Sequence, residues 1–262
     1  MDFLSLASGS KGNCYYLAAE SGALLVDCGI SLKRLEAAVA AQAGSMDAIG
    51  GILITHEHRD HISGLGPLLR RYAIPCYATA ATLDALTEKL IGRVDRNLFH
   101  AIDDGPLSLG DFDIHWSRTS HDAADPVSYQ IRYEDMKVGM LTDAGVASDD
   151  NREALYDSNV LLVEANHDLE MLRNGPYPAL LKRRIASDHG HLSNDSCAQM
   201  LTDVIGPHTE HVVLGHLSEK NNLPACAYQT VYDHLQEQPP AVRRLRLWVA
   251  GQKLPLALSL HA

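Results

Sequence analysis

The chain has 262 residues, 46% of them hydrophobic, and a formal net charge of −11. Its apolar content is ample for a sizeable core, no apolar run approaches the ~18 residues that span a bilayer, and the acidic balance argues against a general polyanion-binding surface. Its five cysteines, Cys14, Cys28, Cys76, Cys197 and Cys226, include no C-x-x-C pair, which argues against a disulfide framework and thiolate zinc and fits a reducing cytosol.

In chain order, β-rich runs predict strands at 2–7, 15–19, 23–27, 51–55, 111–117, 127–133, 137–141, 159–163 and 211–215. Helical spacing occupies 31–42, 61–72, 79–90, 148–157, 194–205 and 223–237. The opening Met1-Asp2-Phe3-Leu4-Ser5-Leu6 lacks a basic, long apolar leader and reads as the first strand. Early hairpin-ordered strands followed by helices indicate an α/β fold, with sheets covered by helices on their outer faces. With no Ser/Pro-rich stretch, charge block or visible repeat, residues 1–262 read as one domain. Asp60 and either Ser193 or Asn194 stand where helix N-caps are expected.

The loop Ser8 to Asn13 is glycine-rich but carries no Walker pattern, so it reads as a hairpin connection. The stretch His56-Glu57-His58-Arg59-Asp60-His61 is different, because a soluble core has no use for so many electron-pair donors. It falls between the strand-like Gly51–Thr55 and an amphipathic segment, so the donors crowd a strand-to-helix turn. Neutral imidazole suits zinc and other first-row ions, and carboxylates add affinity for harder ions such as manganese. Asp27, His121, Asp143 and His216 each follow a β-rich run and add further candidates at strand ends. More than four donors argue for two divalent ions with open positions rather than one closed structural zinc.

Two such ions pull the pKa of a shared water toward ~7 and leave a local positive field that attracts a phosphodiester. The basic clusters Arg70-Arg71, Arg173, Lys182-Arg183-Arg184 and Arg243-Arg244-Arg246 each read as solvated faces when taken alone. Lys182, Arg183 and Arg184 precede His191 closely enough to line a nucleic-acid track. The histidines at 100, 115, 208, 211, 234 and 261 match no motif.

The order Asp27, His56-x-His58-x-Asp60-His61, His121, Asp143, His216 resembles the metallo-β-lactamase-fold hydrolases across nearly the whole chain. Within them, Ala7–Cys14, Glu164–Asp168, Ser187–Asn194 and Gly215–Ser218 look like the YycJ/WalJ branch. That resemblance implies a four-layer αββα sandwich of two mixed sheets with outer helices, and a cytoplasmic, sequence-nonspecific 5′→3′ exonuclease acting on double-stranded DNA through a dimetal-bound hydroxide. It assigns His56, His58 and His121 to one metal, Asp60, His61 and His216 to the other, and Asp143 to both. Asp27 then supports a ligand histidine without ligating.

His191 is the candidate general acid or phosphate donor, because its surroundings also resemble tRNase Z. Here Leu192-Ser193 stands where those nucleases have Ser-Thr. Asp60 is a second candidate for proton transfer, although a metal-bound carboxylate makes a poor acid and suits a ligand better. Ser8, Ser10 and Asn13 are expected near the metals, touching phosphate or a ligand, and His167 is a weaker substrate contact. A hydrolase of a thioester or lactone using the same metals is the alternative; redox chemistry at an iron pair and a non-catalytic metal protein fit less well.

Overall fold

The computed structural model describes residues 1–42, 44–102, 105–239 and 245–260. Arg243, Arg244 and His261 therefore lie outside the described residues. The first half contains β1 (Asp2–Ala7), β2 (Cys14–Ala19), β3 (Gly22–Val26), α1 (Leu32–Ala41), β4 (Ile49–Leu53), α2 (Arg59–Ile62), α3 (Leu65–Tyr72), β5 (Cys76–Ala78), α4 (Ala80–Ala85), α5 (Glu88–Ile91) and β6 (Phe99–Ala101). The second half contains β7 (Leu107–Leu109), β8 (Phe112–Arg118), β9 (Val127–Tyr133), β10 (Met136–Leu141), α6 (Asp149–Leu155), β11 (Val160–Glu164), α7 (Leu169–Asn174), α8 (Ala179–Ile185), α9 (Asn194–Val204), β12 (His211–Gly215), α10 (Pro224–Gln236), β13 (Arg246–Val249) and β14 (Leu256–Ser259).

Two seven-stranded sheets result, ordered β14-β1-β2-β3-β4-β5-β6 and β13-β12-β11-β10-β9-β8-β7. The first is antiparallel from β14 to β3 and parallel from β3 to β6. The second follows the same plan, antiparallel from β7 to β10 and parallel from β10 to β13. The two sheets thus repeat one strand plan, with β14 joining the first from the second half of the chain, and no repetition in the residues betrays it.

Strand periodicity decides the layers. Leu24, Val26 and Leu53 face inward and meet Tyr129, Ile131, Val138, Leu162 and Val213 in a core between the sheets. Their neighbours Leu25, Ile52 and Ile54 face outward and pack with Leu35 of α1 and Leu65 and Leu68 of α3. On the far side, Leu161, Val163, Val212 and Leu214 pack with Leu201 of α9 and Val231 of α10. The architecture is an αββα sandwich whose central parallel strands are buried on both faces. Truncating one such leucine to alanine costs about 2–5 kcal/mol.

The helix expected over 61–72 is two helices. Gly64 donates its N–H to the Cys28 carbonyl (2.8 Å), and a Cβ there would lie 1.9 Å from the Ile30 carbonyl oxygen, so backbone packs on backbone at the break. Asp60 is consequently not an N-cap: it lies inside α2, whose N-cap is His58. Ser193 does cap α9, accepting the Ser196 N–H. The helix expected over 79–90 divides into α4 and α5. The strands β5, β6, β7, β13 and β14 and the helices α7 and α8 were not predicted. All five cysteines are free, and among the described residues no helix is long and apolar enough to cross a membrane.

Candidate metal centre

The loops after β3, β4, β8, β10, β11 and β12 converge. Three residues entering them, Asp27 (φ 60°), Asp143 (φ 57°) and His216 (φ 51°), have left-handed backbone, a conformation uncommon for residues with a Cβ. Each turns the chain sharply as it leaves a buried strand. The surrounding structure holds that strain, as is usual at functional sites.

Four sets of donor atoms each lie within 4.8 Å of one another: His56, His58 and His121; Asp60, His61 and His216; His56, His61 and Asp143; and Asp143, Glu164, His191 and His216. Asp143 sits between the first two sets, its Oδ2 3.1 Å from His61 Nε2 and its Oδ1 3.7 Å from His121 Nε2. The seven expected ligands are therefore gathered in one place. Glu57, the odd residue in the motif, points elsewhere and accepts the Ala124 N–H (3.0 Å), which clamps the loop carrying His121.

Hydrogen bonds fix the imidazole tautomers. His61 donates Nδ1–H to Asp27 Oδ2 (2.7 Å), and His121 donates Nδ1–H to the Gly190 carbonyl (3.0 Å). Thr55 donates its hydroxyl to Asp27, so it accepts Nδ1–H from His56 (3.0 Å). In all three rings Nδ1 is thereby held by an outer partner and Nε2 is the nitrogen turned toward the cradle, the arrangement that outer partners impose on metal-binding histidines. Asp27 is fully buried and also accepts the Thr55 N–H (2.9 Å).

His56 Nε2, Asp143 Oδ2 and His216 Nδ1 are buried without a hydrogen-bond partner. The last two lie 2.9 Å apart but are misaligned for a hydrogen bond. Orphaned polar atoms cost about 1–3 kcal/mol each unless something else satisfies them. Burial, reinforced by the neighbouring His61, keeps His56 well below the ordinary histidine pKa and hence neutral. Burial acts the other way on Asp143, yet the facing His216 and His61 hold its carboxyl well below the usual range. Burial likewise opposes charge on His61 and His216, but Asp143 raises both well above the usual value. A neutral imidazole, ionised carboxylates and unpartnered donors in one buried cradle fit divalent metal ions.

Glu164 is the residue that sequence reasoning missed. It ends β11 fully buried, accepts N–H groups from Ala144 (3.1 Å) and Leu192 (3.3 Å), and bonds His191 Nδ1 at 2.7 Å. Burial lowers and Glu164 raises the His191 pKa, and the net movement is upward. The signal was available: a carboxylate closing the apolar run Val160–Val163 follows the same pattern as Asp27 after β3.

Other expected contacts divide. Ser8 and Asn13 are buried and serve the protein itself. The Ser8 hydroxyl accepts the His216 N–H (2.8 Å), and the Asn13 amide donates to Asp60 Oδ2 (3.2 Å) and His61 Nε2 (3.0 Å). Both therefore hold candidate ligands, the second of the two contacts expected of them. Ser10 lines the cavity over the cradle, about 240 Å³, together with His191 and Arg184. His167 is 1% exposed and does not line it. Lys182 is turned away, donating to the Arg173 carbonyl (2.8 Å), and Arg183 is exposed outside the cavity. Arg184 pairs with Asp122. A larger cavity, about 600 Å³, lies between α6 and the outer face of β8–β10 and contains none of the expected ligands.

The chain matches the Beta-lactamase superfamily domain over residues 23–217. It is 40% identical to Exodeoxyribonuclease YycJ of Bacillus anthracis over 91% of this chain and 90% of that protein. It is also 40% identical to Exodeoxyribonuclease WalJ of Streptococcus pneumoniae, over 88% and 87% of the two chains. The crystal structure of the metallo-β-lactamase fold protein YhfI from Bacillus subtilis superposes with a TM-score of 0.72 at 18% identity, covering 98% of this chain and 99% of that one. With the strand-end cradle, the sandwich and these matches in agreement, the chain belongs to the metallo-β-lactamase superfamily, in the family that includes YycJ and WalJ.

Proposed function

We propose that this protein is a metal-dependent phosphodiesterase that degrades DNA from an end, without sequence preference, as a 5′→3′ exonuclease on duplexes in the cytoplasm. One observation carries the reading: the histidine–aspartate sets flanking Asp143 share a cavity with His191. The relatives named as exodeoxyribonucleases support the substrate, and the family resemblance supports the polarity. Two divalent ions, zinc or manganese, bound by His56, His58 and His121 and by Asp60, His61 and His216, with Asp143 shared, would supply Lewis acidity and a nucleophilic water near neutral pH.

The protein's own residues do the rest. Glu164 holds the His191 Nδ1–H, which leaves Nε2 for the cavity and favours the protonated ring. In that state His191 donates a proton to the departing oxygen, an assistance worth typically 10²–10⁴-fold. Asp60, its Oδ2 3.4 Å from both His216 Nε2 and His61 Nε2 and held ionised against burial, acts as a ligand and not as an acid.

The test is incubation of the purified protein with manganese or zinc and a 5′-phosphorylated duplex, beside a panel of thioesters and lactones. Stepwise release of nucleotides from the 5′ end supports the reading. Turnover of a thioester with the duplex untouched transfers the same metal site to carbonyl hydrolysis.

A further inference from the structure

Pro176-Tyr177-Pro178 leads into α8, beside the metal cradle. Pro178 is the N-cap of α8, at φ −57° and ψ 149°. Proline fixes its own backbone near that φ and restricts the residue before it to extended conformations. Tyr177 is therefore presented by a stiff segment and not by a freely turning loop. It is half-buried, and among the described residues it makes no hydrogen bond or ring contact.

Tyr177 nevertheless lines the cavity of about 240 Å³ that contains the cradle. Leu181 and Ile185 of α8 line the same cavity, as do the polar Ser10, Asn166 and Ser218. An aromatic and aliphatic wall beside polar side chains and a cation-binding floor matches the two ends of a nucleotide: an apolar, planar base and an anionic phosphate. The volume falls below the ~300 Å³ where pockets for small organic ligands begin. A space of that scale admits at most one such unit and no paired duplex end.

Resting on the nuclease reading, we infer that Tyr177 is a substrate-binding residue that stacks on the base of the terminal nucleotide, drawn out of the duplex one unit at a time into the cavity beside α8. Stacking on an aromatic ring tolerates every base, because each has a π-face. An enzyme without sequence preference needs such a contact. The cost of unpairing is lowest at a duplex end, which favours an end-acting enzyme over one that cuts internally.

Equilibrium binding of deoxyadenosine 3′-monophosphate against 2-deoxyribose 3-phosphate isolates the base, since both carry the phosphate on the 3′ side of the terminal nucleotide, the one to be cleaved, to the same floor. By the usual worth of a stacked base, wild-type protein binds the nucleotide about five- to 150-fold more tightly. Tyr177→Ala loses most of that preference, Tyr177→Leu keeps part of it, and Tyr177→Phe retains it. Equal binding of the two ligands by wild-type protein, or an undiminished preference in Tyr177→Ala, overturns the assignment. A wild-type preference for the nucleotide that Tyr177→Ala loses, with no cleavage of duplex DNA, removes the nuclease reading and leaves the base site standing.

Discussion

Asp27→Asn tests whether the cradle is built to bind metal. The Asp27 carboxylate is fully buried and accepts from the Thr55 N–H, the Thr55 hydroxyl and His61 Nδ1–H. An amide of the same shape keeps one acceptor for the Thr55 N–H but turns N–H groups toward His61. To avoid opposing donors, His61 must move its proton from Nδ1 to Nε2, the atom that faces Asp143 at 3.1 Å. The lone pair that would ligate is then closed. Partners of this kind govern about 10- to 100-fold in metal affinity, or roughly 1.4 to 2.8 kcal/mol. Loss of the His61 hydrogen bond costs the fold about 1–3 kcal/mol, which a domain stable by ~5–15 kcal/mol absorbs. Competition with a chromogenic chelator measures the affinity, and circular dichroism checks the fold. The expected outcome is one weakened site in a folded protein, with a milder loss of the same sign in Thr55→Val. Unchanged affinity at both sites in folded Asp27→Asn would refute the tautomer argument.

Other perturbations read different parts of the site. His58→Ala or Asp60→Ala should abolish turnover while circular dichroism stays native, because each removes one donor from a protein whose cores lie elsewhere; wholesale unfolding would mark the metal as structural. Glu164→Gln removes the carboxylate that raises His191. Activity that needs protonated His191 is lost as pH rises through its raised pKa, so this alkaline fall should move to lower pH in the variant; an unmoved kcat profile contradicts the role. His61 and His216 hold protons above the ordinary histidine range in the metal-free protein. Metal uptake must displace those protons, so affinity should fall as pH falls, and titration with zinc in weak buffer should acidify the solution; proton-neutral uptake counts against this.

The metal loop was legible because its donors are concentrated in six consecutive positions, His56 to His61, where composition offers no rival explanation. Asp27, Asp143 and His216 were legible as polar residues closing apolar strands. Glu164 closes β11 in the same way, but it lies one residue past the run that predicts a strand, and the Glu164–Asp168 stretch that marks the branch assigns it no role. The roles of Ser8 and Asn13 depend on partners far away in sequence, His216 for one and Asp60 and His61 for the other, and no local pattern encodes those pairings. Likewise the break between α2 and α3 arises where Gly64 meets the Ile30 carbonyl, a contact between segments that helical periodicity cannot register. The short strands β5, β6 and β7 have three residues each, too few to show alternation, and sheet pairing rather than propensity defines them.

Anomalous diffraction from crystals grown with zinc or manganese tests the central claim most directly. Two peaks are expected roughly 3.5–4 Å apart, one among His56, His58 and His121 and one among Asp60, His61 and His216, with Asp143 reaching both. A single ion, or ions bound away from these side chains, would contradict it.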